Sequence, residues 1–359
     1  MQEFLEFYRE AAARLETGLA RWTSALPKSE NPILRTGRER LYGLNGGGKR
    51  LRGTLVYIGY QMLREGWAAE ADALAEAYEL FQTAILVHDD IIDHADRRRG
   101  METLHSRYRR DFTPPGGAGA AAAGAALALC LGDLGLYLSQ QRLAEGCGVH
   151  PRFVDLLRYF NGIVIRTIEG ELLDVQLSEA ERFGLPLPEG GSHEQMVCDI
   201  YRLKTACYTM IGPLCCGLLL AGAGPEAIAE MEAVALDLGL AFQMRDDVLG
   251  IYGQAAFLGK GVGGDVSEFK QTLLYSYMKA RGGADFAELL RYYGKPALSE
   301  AELDAVRSLF RAAGALDYVE GRIASLFASA REKLDAAAFP EDRKTLLRGF
   351  IRFVEKRQA

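Results

Sequence analysis

Three carboxylates between positions 89 and 93 have a spacing that could bind a divalent cation. Asp89 and Asp93 are four residues apart, and Asp90 directly follows the first of them. If this apolar stretch is helical, the side chains of Asp89 and Asp93 lie on one face. Mg²⁺ suits such a pair because it prefers oxygen ligands and is usually held by one or two carboxylates together with phosphate oxygens. An acidic helix end in solvent is the alternative.

A second acidic pair, Asp246 and Asp247, lies in another apolar stretch near position 250. Helical spacing places Gln243 on the same face as both carboxylates. The occurrence of two acidic pairs within apolar helices indicates that both pairs serve one binding site. Facing each other across a helical bundle, they could hold more than one Mg²⁺ around a polyphosphate.

Basic residues accompany both acidic pairs. Lys49 and Arg52 share a face at a predicted helix start, where backbone amides add affinity for anions. Lys204 and Thr205 begin a long apolar run, although a lysine there could also be a helix-end residue that reaches solvent. The glycines around Lys260 allow a loop to approach a ligand closely. The further cations of this set are Arg98, Arg99 and Lys270.

Composition and charge exclude some classes of function. The net charge of -6 over 359 residues argues against general nucleic-acid binding. No CxxC pair occurs among the six cysteines and the five histidines are dispersed, so a zinc site is not expected and the thiols fit a reducing compartment. The N-terminus lacks a signal-peptide pattern, which favours a cytoplasmic location. Two uncharged stretches, 116–132 and 209–224, fit buried helices or loops better than a transmembrane segment.

The elements that must position these residues are helices. Apolar residues recur at helical spacing along most of the chain, and alternating strand patterns are nearly absent. We therefore predict an all-α fold, a single-domain helical bundle (residues 1–359) around a central cavity, with an inserted Pro/Gly/Ala-rich loop near 112–124. The predicted helices are 1–24, one over the apolar positions 55–62, 68–94, one carrying 131–133, 151–177, 193–220, 226–252, 267–281, and two or three more at the C-terminus.

Taken in order, the motifs resemble the trans-prenyltransferases, the head-to-tail isoprenyl diphosphate synthases, and among them the geranylgeranyl diphosphate synthases. The likeness extends from about residue 45 to residue 272. Its elements are GGKRLR at 47–52, DDIID at 89–93, Arg98-Arg99-Gly100, Thr103 and His105, Gly132-Asp133, Asp174 within GELLD, Lys204-Thr205, Phe242-Gln243 with Asp246-Asp247, and Lys260 with Asp265.

The resemblance implies a role for each residue. The family condenses isopentenyl diphosphate with an allylic diphosphate, requires Mg²⁺ and is typically homodimeric. Asp89, Asp93 and Asp246 are the implied Mg²⁺ ligands, with Asp90 and Asp247 in support. The implied contacts to the allylic diphosphate are Arg98, Lys204 and Lys260. Those to isopentenyl diphosphate are Lys49, Arg52 and Arg99, with Thr205 and Gln243 lining the site between the two substrates.

Three positions depart from the family pattern. Gly250 replaces the third aspartate of the second acidic motif, which leaves metal binding there to Asp246 and Asp247. Gln82 stands where many members have a histidine that contacts isopentenyl diphosphate, and its amide can still donate a hydrogen bond. The segment 268–270 reads Glu-Phe-Lys instead of Glu-Gly-Lys.

Product length is expected to depend on the helix that precedes the first acidic motif. The chain-length pocket predicted there comprises Phe81, Ala84 and Ile85. In the family that the sequence resembles, the growing chain extends back along this helix, and a bulky side chain acts as the floor that stops it. Ala84 is too small to form such a floor, and Phe81 lies one turn, about 5.4 Å, deeper. This favours geranylgeranyl diphosphate as the product, unless Phe81 only packs in the core. A farnesyl or longer polyprenyl diphosphate synthase, a non-catalytic regulatory subunit and a terpene cyclase are the alternatives.

Overall fold

The structure, a computed structural model, describes residues 1–113, 117, 119–186, 190–253 and 262–356. The predicted all-α class is confirmed, because the strands among these residues form one antiparallel ladder, Arg97–Arg98 with Met101–Glu102. The helices are α1 (Gln2–Ala25), α2 (Pro32–Gly43), α3 (Leu51–Gln61), α4 (Ala69–Ile92), α5 (Leu104–Asp111), α6 (Gly119–Cys147), α7 (Phe153–Phe183), α8 (His193–Ile200), a π-helical segment (Tyr201–Ile211), α9 (Gly212–Leu220), α10 (Pro225–Tyr252), α11 (Gly264–Ser267), α12 (Leu273–Arg281), α13 (Gly283–Leu290), α14 (Glu300–Ala313), α15 (Ala315–Ala336) and α16 (Lys344–Glu355).

The chain divides into two compact units. The N-terminal unit comprises residues 2–156 and 216–223, and the C-terminal unit comprises Met1, 157–215 and 224–359. Each unit carries one of the two acidic motifs and is described separately below. The expectation of a single domain stays a prediction.

The N-terminal unit is built around α4, which packs against α3 and α6. Two glycines of α6 allow a close approach. A Cβ atom at Gly132 would lie 2.3 Å from the His88 ring, and one at Gly135 would lie 2.9 Å from the Cβ of Ala84. The residue before the first acidic motif is therefore held against the backbone of α6.

The C-terminal unit is built around α10, which packs against α15 and the π-helical segment. A Cβ atom at Gly239 of α10 would lie 2.4 Å from the Cβ of Ala206. On α7, a Cβ atom at Gly170 would lie 2.3 Å from the backbone nitrogen of Lys204. The π-helical segment that carries Lys204 and Thr205 is thus fixed by close contacts with both helices.

Several helix boundaries differ from the sequence prediction. Helix α2 was not predicted, although Asn31 caps it and Pro32 occupies its first turn. Helix α5 was not predicted, and four helices rather than two or three follow α12. The inserted loop expected near 112–124 is wrong over 119–124, which belong to α6, whereas 114–116 and 118 lie outside the described residues.

Two helical stretches are long and apolar enough to span a membrane by composition alone, Gly119–Cys147 and His193–Leu220. The second is mostly buried, as expected for a core helix, whereas the apolar part of α6 is mostly exposed. The absence of a transmembrane segment stays a prediction. Among the cysteines, Cys130 is exposed, Cys198 is half-buried and the others are buried thiols: Cys147, Cys207, Cys215 and Cys216.

Candidate active site

The first acidic motif occupies the last turn of α4 and its C-cap. The backbone N–H of Asp93 donates to the carbonyl of Asp89 at 2.8 Å, so the two residues lie on successive turns, as predicted. Both side chains are half-buried, whereas Asp90 is buried and accepts a hydrogen bond from Nε of Arg98. Asp89 and Asp93 therefore remain partly accessible, and Asp90 holds an arginine beside them.

That arginine belongs to a short hairpin, residues 97–102, which we call the arginine hairpin. Its turn residues, Arg99 and Gly100, both have positive φ, 51° and 76°, which is the conformation of a type I′ turn. The carboxylates of Asp90, Asp89 and Asp93 raise the pKa of Arg98, although burial of the guanidinium opposes this. Arg98 thus lies in the field of all three carboxylates of the motif.

Arg99 lies instead among other cations. The Cβ position of Gly48 is 3.1 Å from Nη1 of Arg99 and 3.5 Å from Nη1 of Arg50. Burial of its guanidinium lowers the pKa of Arg99, and the charges of Arg98, Arg52 and Arg50 lower it further. We call these four side chains the arginine cluster, and such a concentration of positive charge favours an anionic ligand.

Within this cluster, Arg50 has a structural role. Its guanidinium is buried, donates to Glu16 at 2.8 Å and to Glu79 at 3.2 Å, and also to the carbonyl of Asn45. The other oxygen of Glu79 accepts from the N–H of Gly53 at 2.9 Å. This buried pairing anchors the start of α3, where the exposed Lys49 and the half-buried Arg52 lie.

The residues predicted to set product length lie on α4. Phe81 and Ala84 are fully buried and Ile85 is half-buried. Ala84 packs on Gly135, so α6 already occupies the space on that side of its Cβ. Gln82 is also buried, and its Oε1 lacks a hydrogen-bond partner within the described part of the chain.

The second acidic motif is held by a hydrogen-bond chain in the C-terminal unit. Thr205 donates to Oε1 of Gln243 at 2.6 Å, and Nε2 of Gln243 donates to Asp247 at 2.7 Å. Tyr201 also donates to Asp247 and accepts from the N–H of Leu273 at 2.8 Å. The structure therefore brings Thr205, Gln243 and Asp247 together; helical spacing predicted the pairing of Gln243 with Asp247, and the resemblance implied that Thr205 and Gln243 line one site.

Burial raises the pKa of Asp247 well above its ordinary value. The carboxylates of Asp265 and Asp246 raise this pKa further, against the hydrogen bonds from Tyr201 and Gln243. Asp265 lies close to the position that lacks the third aspartate, because a Cβ atom at Gly250 would be 2.5 Å from its Oδ2. Oδ2 of Asp265 thus lies where the side chain of a residue at position 250 would begin.

Lys204 lies in the π-helical segment, and such segments frequently occur at functional sites. Its Nζ is 2.8 Å from Glu171 and 2.7 Å from Asp174, both on α7. The close approach at Gly170 brings the backbone of Lys204 within reach of these carboxylates. Lys204 is therefore a fixed cation rather than a mobile helix-end residue.

Both carboxylate sets suit Mg²⁺ by their chemistry, since all their donors are oxygen atoms. Among the described residues, no three His, Cys, Asp or Glu side chains converge as a ready-made metal cluster. Mg²⁺ does not require one, because it is commonly held by one or two carboxylates with water and substrate phosphates completing its shell. The residues present fit a Mg²⁺ ion that binds together with a phosphorylated ligand.

Sequence reasoning missed the roles of several residues. Glu79 and Arg50 form a buried ion pair at the start of α3, and Tyr201 donates a hydrogen bond to Asp247. The signal for Tyr201 was its helical spacing to Thr205, which places both on one face. Lys260, predicted to contact the allylic diphosphate, lies outside the described residues.

Comparisons with a family model and with related proteins agree on one family. The sequence model of the polyprenyl synthetase family matches residues 39–310. A geranylfarnesyl diphosphate synthase of Aeropyrum pernix is 30% identical over 324 residues, 88% of this chain and 92% of that protein. Farnesyl pyrophosphate synthase 2 of Cannabis sativa is 27% identical over 330 residues, 87% of each.

Among solved structures, a geranylgeranyl pyrophosphate synthase from Corynebacterium glutamicum, complexed with isoprenyl diphosphate and magnesium, is similar with a TM-score of 0.84. The two sequences are 26% identical, and the alignment covers 98% of this chain and 99% of that one. The three proteins are named for products of different length.

Proposed function

Because this chain belongs to the polyprenyl synthetase family and is a trans-prenyltransferase, we propose that it condenses isopentenyl diphosphate with an allylic diphosphate, head to tail. The products are diphosphate and an all-trans prenyl diphosphate longer by one isoprene unit. The observation that carries this proposal is the arginine hairpin, since Arg98 donates to Asp90 of the first acidic motif whereas the side chain of Arg99 lies near Gly48 and Arg50. Two oppositely charged sites are thereby adjacent, one suited to a metal-bound diphosphate and one to a second diphosphate.

In the proposed reaction, the carbon–oxygen bond of the allylic diphosphate breaks and the electron pair leaves with the diphosphate. Lys204 and Arg98 are positive charges that stabilise this leaving group. Asp89, Asp93 and Asp246 would hold Mg²⁺, which when bound neutralises further charge on the same group. Fixed cations of this kind suit the step because they need no reorganisation as charge develops.

The second step joins the two substrates. The double bond of isopentenyl diphosphate attacks the allylic cation, a new carbon–carbon bond forms, and one proton is lost to the released diphosphate. Arg52 and Arg99 of the arginine cluster, with Lys49, would hold the diphosphate of isopentenyl diphosphate during this step. Its double bond is then presented in a fixed position, which supplies much of the rate advantage.

The test is an assay with labelled isopentenyl diphosphate and, in turn, dimethylallyl, geranyl and farnesyl diphosphates, with and without Mg²⁺. We expect turnover only with the metal. The regulatory-subunit alternative would be favoured by a lack of turnover with all three allylic substrates. A double substitution, Asp89→Asn with Asp93→Asn, is expected to abolish turnover while leaving the far-ultraviolet circular dichroism unchanged.

We propose geranylgeranyl diphosphate as the product, on the basis of the small Ala84 and of Phe81 one turn deeper on α4. Replacing Phe81 with Ala is expected to shift the product distribution to longer chains in chromatography. Leu80→Ala is the matched control, because Leu80 is also buried on α4 but its side chain points to a different side of the helix. An unchanged product distribution in Phe81→Ala would show that Phe81 does not limit the length of the product.

We further propose that a second copy of this chain covers the exposed face of α6. This face presents apolar side chains at helical spacing, with Leu129 51% and Tyr137 76% exposed, while the opposite face is packed through glycines. Closed homodimers are the commonest way to bury such a surface. Tyr137→Glu should give a monomer in light scattering, whereas Ile33→Glu, at an exposed position of α2, should not. A monomeric wild type would contradict this proposal.

A further inference from the structure

Helix α5 contacts both ends of the arginine hairpin. Asp96 directly precedes the first strand, and its Oδ1 accepts hydrogen bonds from Oγ of Ser106 and from Nη2 of Arg109, each at 2.7 Å. On the second strand, Glu102 forms an ion pair with Arg110. The helix that sequence analysis did not predict therefore holds the base of the hairpin on both sides.

The hairpin has little intrinsic stability of its own. Its ladder consists of two residue pairs, Arg97 with Glu102 and Arg98 with Met101, and short isolated hairpins are marginally stable at best. Its turn places Arg99, which has a Cβ, in the left-handed region, which residues other than glycine rarely adopt. Contacts outside the hairpin must therefore determine its position.

Helix α5 can serve as the fixed support. A Cβ atom at Gly124 of α6 would lie 2.5 Å from the carbonyl oxygen of His105 and 2.9 Å from the backbone nitrogen of Arg109, so the two helix backbones are in contact. Leu104 at the start of α5 is buried in a cluster with Leu41, Val87, Ala128 and Leu138. The position of α5 is thus set by the core of the N-terminal unit.

Asp96 joins this support to the hairpin through its backbone as well. Its carbonyl oxygen accepts from the N–H of Thr103 at 3.1 Å, which closes the hairpin. Its carboxylate reaches Ser106, whose side chain is buried, and Arg109, which is partly exposed. Exposed ion pairs contribute little to global stability, so the effect of this contact is local rather than global.

We propose that Asp96 is a positioning residue for prenyl transfer: held by Ser106 and Arg109 of α5, it fixes the direction in which the hairpin presents Arg98 and Arg99 to the diphosphate groups. This inference rests on the proposed function. It predicts that loss of the Asp96 carboxylate weakens diphosphate binding without unfolding the protein.

The experiment compares Asp96→Ala and Asp96→Asn with wild type. Asp96→Ala should raise KM for both substrates about ten- to a hundredfold, since small displacements of positioning groups have effects of this size. The change in kcat should be smaller, and the melting temperature should stay close to that of wild type. Asp96→Asn keeps an oxygen acceptor for Ser106 and should recover part of the loss. Asp155→Ala removes an exposed ion pair with Arg152 and is the matched control.

A second readout separates this inference from the proposed function. Calorimetric titration of inorganic diphosphate, without added metal, measures the arginines directly, and Asp96→Ala should weaken this binding by a similar factor. If wild type shows no turnover but this difference persists, the proposed reaction fails and the positioning role stands. The same KM and the same diphosphate affinity in Asp96→Ala as in wild type would overturn it, as would a fall in melting temperature large enough to explain the loss.

Discussion

Replacing Gly250 with Ala tests whether Asp265 has taken the place of the missing third aspartate. The new methyl group would lie 2.5 Å from Oδ2 of Asp265. Carbon and oxygen atoms that are not bonded normally stay about 3.3 Å or more apart. The carboxylate must therefore move by roughly 0.8 Å, away from the position that it holds beside Asp247.

A displacement of this size is expected to have a large functional effect. Misplacing a group by about 1 Å in an active site can reduce the rate by about a hundredfold. We therefore expect Gly250→Ala to raise the Mg²⁺ concentration for half-maximal rate, and to lower kcat/KM, by about ten- to a hundredfold. The fold itself should not suffer, because Ala is favoured over Gly in a helix by roughly 0.8–1.0 kcal/mol.

Two measurements separate these effects. Initial rates at increasing Mg²⁺ give the metal dependence, and thermal denaturation with and without Mg²⁺ plus inorganic diphosphate gives the stabilisation that follows ligand binding. Gly162→Ala is the control, because Gly162 lies in α7 and a Cβ atom there would have no neighbour within 4 Å. It should gain helix stability without any change in metal dependence.

The reasoning would be refuted by a Gly250→Ala protein with the metal dependence of wild type. A double-mutant cycle with Asp265→Asn gives a second check. If the steric effect acts through the Asp265 carboxylate, the two substitutions should be strongly non-additive. Simple additivity would show that Gly250 acts by another route.

Three further predictions concern the C-terminal unit. Lys204→Met should lower kcat/KM by about a hundred- to a thousandfold in steady-state assays, since it removes a fixed cation that would stabilise the leaving group. A rise in KM that exceeds the fall in kcat would argue against that role. Tyr201→Phe removes the donor to Oδ2 of the buried Asp247, which keeps only the hydrogen bond from Gln243 to its other oxygen, and should cost about 1–3 kcal/mol in urea denaturation; an unchanged midpoint would contradict this. Burial lowers the pKa of His193, which lies 3.0 Å from Gln271, so the unfolded chain binds a proton more readily and stability should fall as the pH drops below about 6.5. His193→Gln should flatten that fall in the melting temperature, and an identical pH profile would show that other groups cause it.

Local spacing was sufficient to predict the helix and the geometry of the first acidic motif. The apolar period predicted a helix over 68–94, and α4 extends from Ala69 to Ile92. Asp89 and Asp93 lie on successive turns because that property depends on sequence separation alone. The same holds for Gln243 and Asp247, which form a direct hydrogen bond.

Contacts between distant parts of the chain could not be predicted in this way. The sequence shows that Gly250 lacks a carboxylate, but not that Asp265 comes to lie beside it, since helical periodicity says nothing about a loop 15 residues away. The π-helical segment was predicted as ordinary helix, because the apolar pattern over 193–220 is compatible with both. Its geometry depends on the close contacts at Gly170 and Gly239.

The two helices that were missed illustrate different errors. Helix α2 had an identifiable start in Asn31-Pro32, an N-cap residue followed by a proline in the first turn, which the prediction left outside any helix. Helix α5 reads Leu-His-Ser-Arg-Tyr-Arg-Arg-Asp, which offers hardly any apolar period. It is stabilised by packing of Leu104 and by backbone contact with Gly124, which are tertiary effects.

Some charged groups of the protein have neighbours of opposite sign, whereas others have neighbours of the same sign. Arg50 is buried with Glu16 and Glu79, so its charge is balanced within the chain. Arg99 and Asp247 instead lie near groups of their own sign, and both pKa shifts disfavour the charged form. Such crowding reduces the stability of the folded chain unless an oppositely charged ligand offsets it. A diphosphate beside Arg99 and a divalent cation beside Asp247 would each do so, and the proposed function requires both ligands.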